Sequence, residues 1–410
     1  MSAIIFKNIN LFDGTGSALR PAEVRVEGNI ITQVAAPGAI SAEGGDTVID
    51  GKGGTLMPGL IDVHTHLALG SSVEMINKPL DRSPEETALL SAHCGRVMLD
   101  HGYTGAFSGG SASVEGEIAV ARAFEAGWVP GPRLITSSFE RVPGGPMGLM
   151  VKFPGSGVRP SDPATVVHFV EEMADLGVQA VKFLLNGVSA FDPGANMRDQ
   201  FHDEEVMAAG EAAARRGVWL TAHCYTAHSI KLAIKAGFRT LYHLTYADEE
   251  ALDLVEANKD KLFIGVAPGI VEADLVRAPR FGVMASDGQK EEQADAADRV
   301  KTLGRALRAR GVKSLPGGDY GFPWNPVGTN ARDLELFVDW FGYTPAETLT
   351  AATKLGGEAM GLEGKLGVIA QGWLADMLVV SGDPTANISL LRDKANLKVI
   401  LKDGKLYKTI

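Results

Sequence analysis

Residues 170–185 read VEEMADLGVQAVKFLL: a helix-forming half, a glycine, and then an apolar run with strand character. Gly177 stands where a helix C-cap needs a left-handed residue, and the strand begins at once. The same texture returns in EAAARRG before VWLTAHC (211–224), IKLAIKAG before FRTLYHL (230–244) and RALRARG before VKSLPGGD (305–319). Helix starts carry matching chemistry. Ser83-Pro84 with Glu86 and Thr344-Pro345 with Glu347 predict capping boxes, and Asp162-Pro163 predicts a cap without the box. Strands buried on both faces and separated by helices make a parallel sheet; about eight such units over about 300 residues predict an α/β chain closed into a (β/α)8 TIM-like barrel. A doubly wound open sheet is the alternative.

The two ends read differently. Segments 3–14, 22–36 and 46–59 are short strands split by turns, and ADMLVVSG (375–382) and LKVILKDGKLYK (397–408) repeat that pattern. Neither end has an obvious core of its own. The expectation is one small β-sandwich domain from residues 1–57 and 365–410, with the barrel spanning 58–364.

Composition narrows the function classes. The chain has 410 residues, 45% hydrophobic, with a formal net charge of −11 and no long basic run, which argues against a nucleic-acid surface. No window approaches the roughly 18–20 apolar residues of a membrane span, and the N-terminal stretch lacks a basic segment followed by a sustained apolar one. A cytoplasmic protein is expected. Two cysteines, Cys94 and Cys224, cannot build a disulfide framework and read as reduced, packed thiols.

Ionisable residues then stand out at the ends of apolar strands. In MPGLIDVHTHLALG (57–70) two of the nine histidines, His64 and His66, lie one residue apart, so strand alternation points both the same way. Lys182, His223, His243 and Asp319 each lie toward the C-terminal end of a different strand, which in a barrel is a single rim. A buried ionisable group costs several kcal/mol unless paired or ligated, so such a set asks for a metal centre. Any one of these residues alone would read as a satisfied core group.

This set resembles the amidohydrolase superfamily in its two-metal form. The resemblance covers nearly the whole chain, including GVIAQGWLADMLVVSGDP (367–384), and is closest to the imidazolonepropionase-like and Xaa-Pro-dipeptidase-like branch through AGWVPGPRLI (126–135), AHCYTAHSIKLAIKAG (222–237) and NARDLELFV (330–338). It implies one metal on His64, His66 and Asp319, a second on His223 and His243, and a carboxylated Lys182 bridging both. The lysine makes chemical sense because carbon dioxide converts a repelling ammonium into a carbamate with two oxygen ligands. Zinc suits the donor set first, with manganese, iron or cobalt as alternatives. Homo-oligomers are common among similar proteins.

The implied reaction is hydrolysis of a C–N bond in a small molecule, an amide, carbamate, urea or cyclic amide, by a metal-bridging hydroxide, with Asp319 as both ligand and general base. Tyr225, two residues beyond His223, shares its side of the strand and could hold a substrate oxygen, while Cys224 points to the helical layer. Phe322 and Trp324 could cover an apolar part of the substrate or pack against the rim. His228 reads as a solvated helix residue, and His93, His101, His168 and His202 have no distinguishing spacing. The glycine-rich stretches 107–113, 142–148 and 316–328 read as pocket loops, without the context of a phosphate cradle. One departure matters. Where many members of the branch carry an Arg-Asp pair after the second strand, this chain has YTGAFSGG (103–110), which weakens transfer of dipeptide specificity. The alternatives are a dipeptidase or carboxypeptidase, an N-acyl amino acid hydrolase, and less readily a lactonase or deaminase; a metal-free interaction scaffold would require a lost ligand.

Overall fold

The computed structural model describes residues 2–71, 82–146, 161–190 and 192–409. The end of the glycine-rich stretch 142–148 lies outside those residues. The fold is mixed α/β, with three sheets registered as ladders.

The first sheet joins the two ends of the chain. Strands β1 (Ile4–Leu11), β2 (Arg20–Glu27), β3 (Ile30–Ala35), β4 (Thr47–Asp50) and β5 (Thr55–Pro58) come from the N-terminal part. Downstream of β6 to β14, described below, β15 (Met377–Val380), β16 (Leu397–Lys402) and β17 (Lys405–Lys408) come from the C-terminal part. The spatial order is β17-β16-β15-β5-β1-β2-β3, with β4 on β1. Alternation drives this pairing, because Phe6, Val24, Val26, Leu56, Met377, Val379 and Leu401 meet in one apolar cluster. Asp403 and Gly404, both at positive φ, form the two-residue turn that joins β16 to β17. The ladder is one eight-stranded sheet, not a pair of separately registered ones.

The middle of the chain supplies parallel strands. One ladder holds β6 (Leu60–Thr65), β7 (Tyr103–Ser108) and β8 (Arg133–Ile135). The other holds the hairpin of β9 (Arg141–Val142) and β10 (Gly145–Pro146), then β11 (Ala180–Leu184), β12 (Trp219–Thr226), β13 (Thr240–Tyr246) and β14 (Phe263–Gly265). Among the described residues these ladders do not form one continuous closed sheet. Single bridges span the intervals: Ser137 to Ala180, Ile264 to Ser314 and Thr65 to Tyr320, all parallel. The segment expected as an eighth strand, VKSLPGGD, is therefore not a ladder strand, because Pro316 lacks a donor and two glycines follow it.

Helices α1 (Pro84–Asp100), α2 (Val114–Ala126), α3 (Pro163–Leu176), α4 (Asp203–Arg216), α5 (Ala227–Lys235) and α6 (Glu249–Ala257) are interspersed with these strands, and α7 (Pro268–Val276), α8 (Asp287–Ala309) and α9 (Ala331–Asp339) follow β14 in succession. The capping boxes at Ser83 and Thr344 form as read. Asp162 also makes a box, because the Thr165 hydroxyl returns the hydrogen bond that a glutamate would. The largest apolar cluster packs α3 to α8 against the outer faces of β11 to β13 through Val181, Phe183, Ala222, Cys224 and Leu241. That leaves Lys182, His223 and His243 on other faces of the same strands, buried and away from that cluster.

Candidate metal centre

All six singled-out residues are buried. His66 Nε2 lies 2.9 Å and His64 Nε2 3.5 Å from Asp319 Oδ1, and His243 Nε2 lies 4.0 Å from Asp319 Oδ2. One donor atom each from His64, His66 and Asp319 fits within 4.8 Å of the others. The His223 ring centres 4.5 Å from that of His243. Lys182 Nζ is 3.3 Å from His64 Nε2 and donates to Gly109 O at 2.7 Å. Residues from five separate segments thus meet.

The backbone is bent to achieve this. β6 slips register against β7 between Asp62 and Thr65, so simple alternation does not describe it, yet the rings of His64 and His66 still converge at 5.5 Å. His243 (φ 78°), Leu244 (φ 60°) and Asp319 (φ 60°) hold left-handed backbone at non-glycine residues. Each costs on the order of 1–3 kcal/mol and persists only where the surroundings over-determine it. Close approach is equally demanding. A Cβ on Gly109 would sit 2.7 Å from His66 Nε2, and one on Gly317 would sit 2.7 Å from the His64 backbone nitrogen.

Hydrogen bonding tests whether a cation suits this cluster. His66 Nδ1 is 3.1 Å from Gly110 O; in the neutral ring that makes Nδ1 the donor and Nε2 an acceptor. Asp319 Oδ1 lies 2.9 Å from that Nε2, so the two form a charge-assisted pair when the ring carries a second proton and offer two ligand atoms to one cation when it does not. Nδ1 of His64 and both ring nitrogens of His243 are buried without hydrogen-bond partners. His223 Nε2 faces Gly187 O at 3.2 Å, which leaves its Nδ1 as donor to a metal. The residues fit divalent cations.

Electrostatics agree with the geometry. Burial, in a cluster that includes other cationic groups, drives the pKa values of His64 and His223 well below the ordinary range and that of His243 to about 4. Burial opposes charge on His66 too, but the adjoining Asp319 outweighs it and raises the pKa. Asp319 is held well below the usual carboxylate range because His64, His66 and His243 outweigh its burial. Burial lowers Lys182 against the pull of Glu140 and Asp319, which favours the neutral amine.

Tyr225 stacks flat on His243 at 4.7 Å and meets His223 edge-on at 4.8 Å, while Cys224 lies in the helical layer. Asn186 Oδ1 fixes Tyr225 by accepting its backbone N–H at 2.6 Å. His228 pairs with Asp203 on the surface and stands outside the cluster. Sequence reading missed several supporting residues. Glu140, a buried carboxylate 3.6 Å from Lys182 Nζ, carries no spacing signal, since nothing local marks a lone glutamate as facing a lysine 42 positions on. Asp62 accepts from the His64 backbone and from Asn330 Nδ2, and Asp333 accepts from the backbones of Gly269 and Gly317 at 2.8 Å each. The NARD run (330–333) hinted at the last two only as a resemblance.

Comparison with known proteins matches residues 55–407 to the amidohydrolase family. This chain belongs to that family. The amidohydrolase is 28% identical to ochratoxinase of Aspergillus niger, across 97% of this chain and 85% of the relative. It is 24% identical to imidazolonepropionase of Rubrobacter xylanophilus, across 94% and 91%. Among solved structures, a Xaa-Pro dipeptidase with methionine bound in its active site superposes with a TM-score of 0.83 at 26% identity, covering 99% of this chain and all of that one. The expected family is thereby established, its relatives include the expected imidazolonepropionase and Xaa-Pro dipeptidase, and the protein is a hydrolase acting on C–N bonds. No described helix of the amidohydrolase is long and apolar enough to cross a membrane.

Proposed function

We propose that this amidohydrolase hydrolyses an amide-type C–N bond of a small molecule at the His64–His66–Lys182–His223–His243–Asp319 cluster. The observation that carries the reading is the convergence of six buried ligand-type side chains, with His66 Nε2 2.9 Å from Asp319 Oδ1 and both ring nitrogens of His243 buried without a hydrogen-bond partner. His64, His66 and Asp319 would hold one divalent ion, His223 and His243 a second, with Lys182 carboxylated on Nζ as the bridge and zinc the metal the donors suit first. When bound, such ions polarise the scissile carbonyl and lower the pKa of water from about 15.7 toward 7.

The chain's own residues do the rest. Asp319 accepts the proton released as water adds to the carbonyl and passes it to the leaving nitrogen, so the C–N bond breaks to an amine and a carboxylic acid. Its depressed pKa keeps it ionised. Tyr225, stacked on His243, would donate its hydroxyl to a substrate oxygen. Glu140 is the counter-ion of Lys182 before carboxylation, a reaction that joins the neutral amine to carbon dioxide and releases one proton.

A dipeptidase needs a cation for the free carboxylate. Where many members of the branch carry an Arg-Asp pair after the second strand, this chain carries YTGAFSGG (103–110), which favours amide hydrolysis over the dipeptidase reading. We further propose that β6, β7, β8, β11 to β14 and residues 314–320 close as a (β/α)8 barrel within 58–364, supported by the three single bridges. Residues 1–57 and 365–410 would form the separate β-domain, supported by their shared sheet. Cytoplasmic residence accords with two free, buried cysteines. The decisive assay is amine release from amides, carbamates, ureas and N-acyl amino acids by zinc- and bicarbonate-supplied protein, with a chelated sample as control. No release from any of these classes would overturn the proposal.

A further inference from the structure

The loop after Asp319 is built more rigidly than a pocket wall requires. In DYGFPWNP (319–326), Gly321 N–H donates to Asn325 O and Asn325 N–H donates back to Phe322 O, both at 3.0 Å. Gly321 (φ 135°) passes so close to the His66 backbone that a Cβ would sit 2.4 Å from its oxygen. Arg277 Nε holds Trp324 O at 2.7 Å. The Trp324 indole N–H donates to Asp274 Oδ1 at 2.7 Å, and the indole itself is only 1% exposed. It therefore cannot be a contact surface. It stacks behind Phe322, with centroids 5.2 Å apart and planes 27° apart. Phe322 keeps a partly open face and meets His66 edge-on at 6.1 Å.

Across the cluster, Tyr225 lies flat on His243, with the half-buried Tyr246 ring 6.3 Å from it. Aromatic surfaces therefore adjoin both His66 and His243, two of the three histidines that approach Asp319. Aromatic rings favour ring partners by stacked or edge contacts beyond simple area burial, and a ring with no torsional freedom of its own is held at small entropic cost.

Building on the hydrolase reading above, we infer that Phe322 is the substrate platform of this site and that it selects substrates carrying an aryl group next to the scissile amide. Asp274 acts through Trp324 and is a positioning residue. A rigid platform beside His66 would hold the aryl group equally in the ground and transition states, so its effect falls on KM.

The test compares wild type with Phe322→Ala and Phe322→Leu, all supplied with zinc and bicarbonate, on N-benzoyl-alanine, N-acetyl-phenylalanine and N-acetyl-alanine. Wild type is expected to favour at least one aryl substrate by about tenfold or more in kcat/KM. Phe322→Ala should raise KM for that substrate about tenfold and lower the ratio of its kcat/KM to that of N-acetyl-alanine by a similar factor. Phe322→Leu keeps apolar bulk without a ring and should not restore the preference. Asp274→Asn, which retains an acceptor for the indole, should keep the preference, and Asp274→Ala should lose it. Calorimetry gives a second readout: the benzoate-to-acetate affinity ratio should collapse in Phe322→Ala. Equal rates on aryl and methyl substrates, or full rescue by leucine, overturn the platform while the hydrolase reading stands. If no amide is cleaved but the affinity ratio still depends on Phe322, the hydrolase reading falls and the platform stands.

Discussion

His66 Nε2 and Asp319 Oδ1 approach to 2.9 Å, and both residues are buried. The first comes from just beyond β6 and the second from a segment more than 250 residues later, so the chain folds to bring two potential metal ligands together. Replacing Asp319 separates its two assigned roles. Asp319→Asn keeps shape and one oxygen donor but has no basicity, so kcat should fall about 10²–10⁴-fold while metal content by mass spectrometry stays near wild type. Full turnover in this variant would exclude Asp319 as the base.

Metal removal should affect stability as well as rate. The cluster holds buried ring nitrogens without hydrogen-bond partners, and a ligand that binds only the folded state adds RT ln(1 + [L]/Kd), about 2.7 kcal/mol at a hundredfold excess over Kd. Chelation is expected to abolish amine release and lower the melting temperature, and zinc should restore both. Unchanged melting with and without chelator would argue that no ion is held here.

Lys182 carries the clearest spectroscopic signature. Its amine is fully buried among polar partners, Gly109 O and Glu140, and burial favours the neutral form that attacks carbon dioxide. Protein incubated with ¹³C-bicarbonate should show a protein-bound carbamate carbon that disappears in Lys182→Ala. That variant should also bind less metal; retention of two ions without the lysine would remove it from the bridging position.

Asp333 anchors the segment that bears Asp319. Its two oxygens accept the backbone N–H groups of Gly269 and Gly317, and it is wholly buried. Asp333→Ala leaves two buried donors unsatisfied, so a loss of about 2–4 kcal/mol in stability is expected. Metal affinity should fall about 10–100-fold, as for other supports of ligand shells. Denaturant melts and a metal titration check both. A normal affinity at reduced stability would confine Asp333 to a structural role.

Acid sensitivity should have a component far from the cluster. Asp403 is opposed by burial, but hydrogen bonds from Asn29 and Arg133 outweigh this and lower its pKa. A lowered folded pKa contributes stability that is present above the unfolded value, about 3.9, and is lost as pH falls through the folded value. The pair is partly exposed, so the contribution is under about 1 kcal/mol. Asp403→Asn should melt at a lower temperature than wild type near neutrality and converge with it below pH 4. Parallel curves at all pH values would deny the linkage.

The six residues that meet in the cluster were legible in the sequence because ionisable and imidazole side chains are rare at the ends of apolar runs, and six of them recur there. The helix–glycine–strand period likewise named an α/β chain without any coordinates. Glu140, Asp62 and Asp333 were not legible, since a carboxylate's meaning depends on what lies opposite it. Trp324 shows the same limit. Beside Asp319 in sequence it was as good a substrate contact as Phe322, and only packing shows one ring sealed behind the other.

The sequence by itself determined the secondary-structure rhythm, the joining of the two ends in one sheet and the residue types able to hold cations, because periodicity and side-chain chemistry are local properties. Tertiary structure decided the irregular β6, the unladdered segment before Asp319, the left-handed His243 and Asp319, and which aromatic ring stays open. Those features come from backbone strain and close approach between distant segments, and such contacts have energies only once both partners are in place.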